Sequence, residues 1–106
     1  MNYIDIDKDL IPYSFEMSLN NKTYQFTINY NNTHDFFTVD LHRNDEVLVN
    51  GEKIVYGKPL FATTQYKDIP DISILPHDLS GEVDRITFEN FNEKVFLFLV
   101  GDDDVD

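Results

Sequence analysis

The residues of this chain that could do chemistry are three histidines and a dense population of carboxylates, with no cysteine to join them. Asp5, Asp7, Asp9 and Glu16 reproduce positions 1, 3, 5 and 12 of a calcium-binding loop. The sixth position of such a loop needs glycine for its sharp turn, and here it is Leu10. Pro12 removes a further backbone donor, and no helical pattern flanks the segment. The Asp-Ile-Asp alternation reads better as an exposed strand face. His34, His42 and His77 share no spacing of three or four residues, the arrangement that brings imidazoles together on a metal. His34 and His42 fall at loop edges and are expected to be solvated, so no metal site is predicted.

Covalent catalysis finds no better footing. Ser80-Gly81 lacks the glycine two positions earlier that a nucleophile elbow requires. The four glycines are scattered, so no phosphate-cradling loop can form. Lys53, Lys58 and Arg85 are too few for a phosphate-binding patch. A glycosidase-like pair of acids could be drawn from 20 Asp and Glu residues in many ways, and for that reason carries no information. Asn21-Lys22-Thr23 and Asn31-Asn32-Thr33 match the glycosylation acceptor pattern by chance, since no apolar leader precedes them. No catalytic, cofactor-binding or metal-ligating residue is predicted, no cofactor is expected, and an enzyme is not expected.

The elements that would position these groups are strands. Tyr13, Phe15, Met17 and Leu19 alternate with Ser14, Glu16 and Ser18. Asn20-Asn21 then interrupts, and Tyr24, Phe26, Ile28 and Tyr30 resume the alternation. Period-two patterning broken by residues that tolerate positive φ predicts an antiparallel hairpin. A polar loop, Asn31 to Asp35, leads to a strand over 36–42 with Phe37, Val39 and Leu41 on one face. Arg43-Asn44-Asp45 makes the next turn. Asn50-Gly51 predicts a two-residue hairpin that would set Val47 against Ile54 on a shared face. Residues 13 to 56 thus read as a continuous meander.

Further along, a short strand is expected over Ile72 to Leu75 and a turn over Pro76 to Gly81. Arg85–Glu89 reads as a strand with Ile86 and Phe88 inward. Val95–Val100, apolar throughout, reads as a strand covered on both faces. One short helix fits between Phe61 and Lys67. The fold class is therefore all-β, a small antiparallel meander closing into a barrel or sandwich of about seven or eight short strands. Residues 1–100 are expected to form one β domain, with 101–106 an acidic, frayed C-terminal tail.

The net charge of −12 repels phosphate backbones and anionic lipid, so direct nucleic-acid or membrane binding is not expected. No apolar run reaches the roughly 18 residues of a membrane span. Synthesis in the cytoplasm is expected.

The central meander also carries a family likeness. Asp35-Phe36-Phe37-Thr38-Val39-Asp40-Leu41 is followed by Val47-Leu48-Val49-Asn50-Gly51-Glu52-Lys53-Ile54-Val55-Tyr56-Gly57-Lys58-Pro59-Leu60-Phe61. Ile11-Pro12-Tyr13 and Asn29-Tyr30-Asn31 stand upstream; Pro76-His77-Asp78-Leu79-Ser80-Gly81, Asn90-Phe91 and Val95-Phe96-Leu97 stand downstream. Over residues 11 to 99 this order and spacing resembles the bacteriophage baseplate plug family, small structural proteins of phage tails. Met1 to Asp9 and the acidic tail lie outside the likeness. The resemblance implies a non-catalytic virion component at the tail tip, near the central channel, contacting hub, tube and spike-type proteins as a symmetric oligomer.

Tyr56, Pro59 and Phe61 are the candidate contact residues, because aromatics are enriched at interface centres. They could equally close the bottom of the core. The alternative function is a small acidic inhibitor that mimics nucleic acid, or another protein-binding module, suggested by the same negative charge.

Overall fold

The computed structural model describes residues 2–62, 70 and 72–100. Two antiparallel sheets contain the seven strands found among them. The first has the order β2-β3-β4-β5, built from Tyr13–Leu19, Lys22–Asn31, Phe36–Arg43 and Glu46–Lys53. The second has the order β1-β7-β6, from Tyr3–Ile4, Phe96–Val100 and Ser73–His77. The architecture is all-β as expected, an open two-sheet sandwich rather than a closed barrel. A 3-10 turn at Lys8–Leu10 links β1 to β2, capped by the Asp7 carboxylate, which accepts the Asp9 N–H at 3.0 Å. Residues 63–69, where the short helix was expected, and the 101–106 tail lie outside the described residues.

The meander forms because its turns use the residues that tolerate positive φ. Asn20 and Asn21 sit at φ 51° and 66°, and Asn44 and Asp45 at 53° and 64°. Positive φ at both central positions matches the right-handed twist of the flanking strands. The resulting registers, Phe15 opposite Phe26 and Ile28 opposite Val39, put every inward residue of β3 and β4 on one face. Tyr24, Phe26, Ile28, Phe37, Val39 and Leu41 are all buried there, and Ile4, Ile74 and Leu97 of the other sheet complete the same core.

Asn50-Gly51 does not make a hairpin. Gly51 has φ +71° while Asn50 stays out of the left-handed region, so a tight turn needing both cannot form. The pair is a bulge within β5 instead. Val39 pairs with Glu52 and Leu41 with Val49, leaving Asn50 and Gly51 opposite Asp40 alone. The Asp40 carboxylate accepts the Gly51 N–H at 2.6 Å and holds the kink. A second irregularity lies one step on, where Leu41 pairs with Val49 but His42 with Val47. Leu48 is the extra residue, and it enters the core while Val47 is 53% exposed. Val47 and Ile54 therefore do not share a face.

The Arg85–Glu89 alternation is also not a strand. Asn90 gathers this segment by its side chain, accepting the Thr87 N–H at 2.9 Å and donating to the Arg85 carbonyl at 2.9 Å. Its own N–H donates to the Thr87 hydroxyl. Local side-chain bonds of this kind compete directly with ladder pairing. Ile86 is buried as expected, but Phe88 is 39% exposed.

The short strand β6 runs on through Pro76, which an edge strand can accept because a missing N–H there costs no ladder bond. In β7 only Leu97 and Phe98 are buried; Phe96, Leu99 and Val100 are half-buried. His42 lies inside β4 rather than at a loop edge, and its Nδ1 is buried without a partner among the described residues.

Candidate functional site

Of the residues singled out from the sequence, Tyr56 lies beside the end of β6, whereas Phe61 belongs to the buried core. The segment after β5 leaves that strand at Ile54 and crosses to β6, where Gly57 N–H donates to the Pro76 carbonyl and Leu60 N–H to the Ile74 carbonyl, both at 2.8 Å. These bonds fix Tyr56 beside the end of β6. Its ring stacks on His77 with centroids 5.2 Å apart, and its hydroxyl accepts the Asp78 N–H at 3.1 Å. Pro59 is half-buried. Phe61 is buried, with its ring 6.4 Å from that of Phe26, and its N–H donates to the Glu52 carboxylate.

Asp78 is the one buried carboxylate among the described residues. It accepts four hydrogen bonds: from the Ser80 hydroxyl at 2.6 Å, and from the N–H groups of Ser80, Glu82 and Val83 at 2.9, 2.9 and 3.1 Å. The Ser80 hydroxyl contributes most to holding its pKa down to about 2, against desolvation that pushes the other way. A carboxylate so fully occupied stabilises its turn in the charged form. Gly81, at φ +71°, closes the turn by donating to the Asp78 carbonyl at 3.0 Å.

This turn forms one wall of an open groove of about 500 Å³. Its floor is aromatic. Tyr3 of β1 and Phe96 and Phe98 of β7 point to the same outer face, with Tyr3 4.6 Å from Phe96 and 6.2 Å from Phe98. Leu79, 66% exposed, stands at the rim with Glu82 and Glu93. Lys94, the one cation among the described residues that line the groove, is paired to Glu82, which raises the lysine pKa. The result is an apolar surface with an acidic border.

A second brace lies in the β3-β4 loop. Asp35, at φ 56° in the loop between β3 and β4, accepts the Tyr30 hydroxyl at 2.7 Å and the Phe88 N–H at 2.9 Å. The Tyr30 hydroxyl, followed by the Phe88 N–H, lowers the Asp35 pKa, and the same hydroxyl bond raises that of Tyr30. Asp5 accepts from the Asn92 side chain, whose oxygen takes the Ile6 N–H. Asp5, Asp7 and Asp9 thus serve separate local bonds or face solvent, and no cluster of His, Asp or Glu able to hold a metal exists among the described residues.

Tyr3, Leu79, Phe96 and Phe98 were not identified from the sequence as a surface. Phe96 and Phe98 sit in a run apolar at every position, which gave no sign of which side chains face outward. The alternation Phe96-x-Phe98 opposite Tyr3 was the available signal, and it needed the β1-β7 register to be recognised.

Two thin sheets, turns braced by carboxylates and an outer aromatic face, on which Tyr3 is exposed, Phe96 half-buried and Phe98 buried beneath them, define a structural packing module. The chain belongs to the family described as the cyanophage baseplate Pam3 plug gp18, whose pattern it matches over residues 1–103. The match takes in Met1 to Asp9, which the likeness seen in the sequence had excluded. No curated protein matches the chain. It is a structural component of the phage tail baseplate, and it works among other tail and baseplate proteins in the virion.

Proposed function

We propose that this protein is a non-catalytic plug near the central channel of the tail tip, held between hub and tube proteins as a symmetric oligomer. The family match over residues 1–103 is the observation that carries this reading. The structure supports it in a specific way. The Asp78 and Asp35 carboxylates and the Asn90 and Asn92 amides are spent on bracing turns. What remains on offer is shape. The aromatic floor of Tyr3, Phe96 and Phe98, with Leu79 at its rim, is the contact surface, with Tyr56, which accepts the Asp78 N–H, and Pro59 as further contacts beside it. Phe61 contributes from beneath, through the core. Interfaces place apolar and aromatic side chains at their centres and polar ones at their rims, which is the arrangement here.

Labelling the chain in intact virions tests the location, with signal expected at the tail tip. Leu79→Lys, at an exposed position, should fold normally yet enter tails poorly. Normal incorporation of that variant removes the groove from the contact surface. An acidic nucleic-acid mimic would instead bind a DNA-processing enzyme and lose it steeply as salt rises.

A further inference from the structure

A strand at the edge of a sheet presents unpaired N–H and C=O groups, and proteins blunt such edges by shortening, bulging or covering them. The two sheets of the described residues have four edges, and three are treated in that way. β1 is two residues long. β5 carries both bulges, one tied down by Asp40. β6 contains Pro76 and is covered on its outer side by the amides of Gly57 and Leu60.

The fourth edge, β2, has none of these devices among the described residues. It pairs with β3 in unbroken register from Tyr13 to Leu19, without bulge or internal proline. Among the described residues, no backbone group from outside its sheet bonds to it. A separate observation concerns its side chains. Across the pair, Tyr24, Phe26 and Ile28 of β3 are buried, whereas Tyr13, Phe15 and Met17 of β2 are only partly so. The apolar layer thins at the same edge where, among the described residues, no further strand pairs.

We propose that β2 is a docking edge for an extended strand supplied by a neighbouring baseplate protein, a partner choice that rests on the baseplate reading above. Such a strand would continue the β2-β3-β4-β5 sheet and lay alternate apolar side chains over Tyr13, Phe15 and Met17. The solvent side of β2 is Ser14, Glu16 and Ser18, with Glu16 its one charge. Glu16 is also the middle residue of the strand. Two copies pairing antiparallel about their centres would bring these carboxylates together, between molecules each of net charge −12. The fitting partner is therefore a different chain, with Lys or Arg opposite Glu16.

The isolated protein allows a direct test. Two synthetic nine-residue peptides of alternating valine and threonine, differing only in a central lysine or glutamate, serve as probes, with hydrogen exchange as the readout. The lysine peptide should slow exchange of amides in 13–19 at least tenfold and bind at least tenfold more tightly than the glutamate peptide. Glu16→Lys, a change at an exposed site, should reverse that preference. Protection elsewhere, or none, overturns the proposal. Concentration-dependent protection of 13–19 without peptide also overturns it, in favour of a second copy of this chain. Absence of the protein from purified tails would instead count against the baseplate reading and leave the peptide result standing.

Discussion

Phe88 belongs to a stretch whose sequence alternates like a strand and Phe91 lies three residues further on, yet the structure assigns them very different work. Phe91 is fully buried, with its ring 4.4 Å from Phe37. Truncation to alanine removes about 150 Å² of ring surface from the core, and at about 25 cal/mol per Å² this amounts to about 4 kcal/mol. That lies within the ~3–5 kcal/mol typical of such changes. A domain of this size has roughly 5–15 kcal/mol of stability in total, so Phe91→Ala should remove a large share of it.

Phe88 is 39% exposed and rests on Tyr30 at 5.0 Å and on Phe37 at 6.1 Å. Its link to Asp35 is made by its backbone N–H, which alanine retains. Water can fill the space that the ring leaves, so Phe88→Ala should cost only about 1–2 kcal/mol. Urea denaturation followed by far-ultraviolet circular dichroism gives both values. Equal costs for the two variants, or a cost under about 1 kcal/mol for Phe91→Ala, would refute the packing described for residues 85–91.

Other outcomes follow from the braces. Asp78 is held near 2 in the folded protein, below its ordinary value of 3.8, so the unfolded chain takes up the proton first on acidification. Its contribution is present above the unfolded value and disappears as pH falls from about 5 through 2. Asp78→Asn should flatten that part of a melting-temperature profile. Tyr30 has the opposite sign: its pKa is raised, so its contribution holds below pH 10 and is lost above it, and Tyr30→Phe should shrink the alkaline decline, to which Lys94 also contributes. At Gly51, where a Cβ would meet nothing within 4 Å, only the left-handed backbone resists substitution. Gly51→Val should cost about 1–2 kcal/mol in denaturant midpoint analysis, and Gly51→Asn clearly less.

Much of the four-stranded sheet was legible in the chain itself. Alternation in 13–19, 24–30 and 37–41 needs only the period of a strand, and Asn20-Asn21 and Asn44-Asp45 carry the conformational tolerance that hairpins demand. The acidic balance and the family likeness were equally local readings. Local chemistry could not choose between two uses of the same residues. Asn50-Gly51 serves a turn or a bulge, and the continuing pairing of Glu52 and Lys53 with β4 decided for the bulge. Residues 85–89 alternate, but the side chain of Asn90 and the carboxylate of Asp35 claim the backbone before a neighbouring strand can. The aromatic face of Tyr3, Phe96 and Phe98 exists because strands more than 90 residues apart pair. A sequence names which groups can bond; which partner each one reaches is set by the distances that only the folded chain creates.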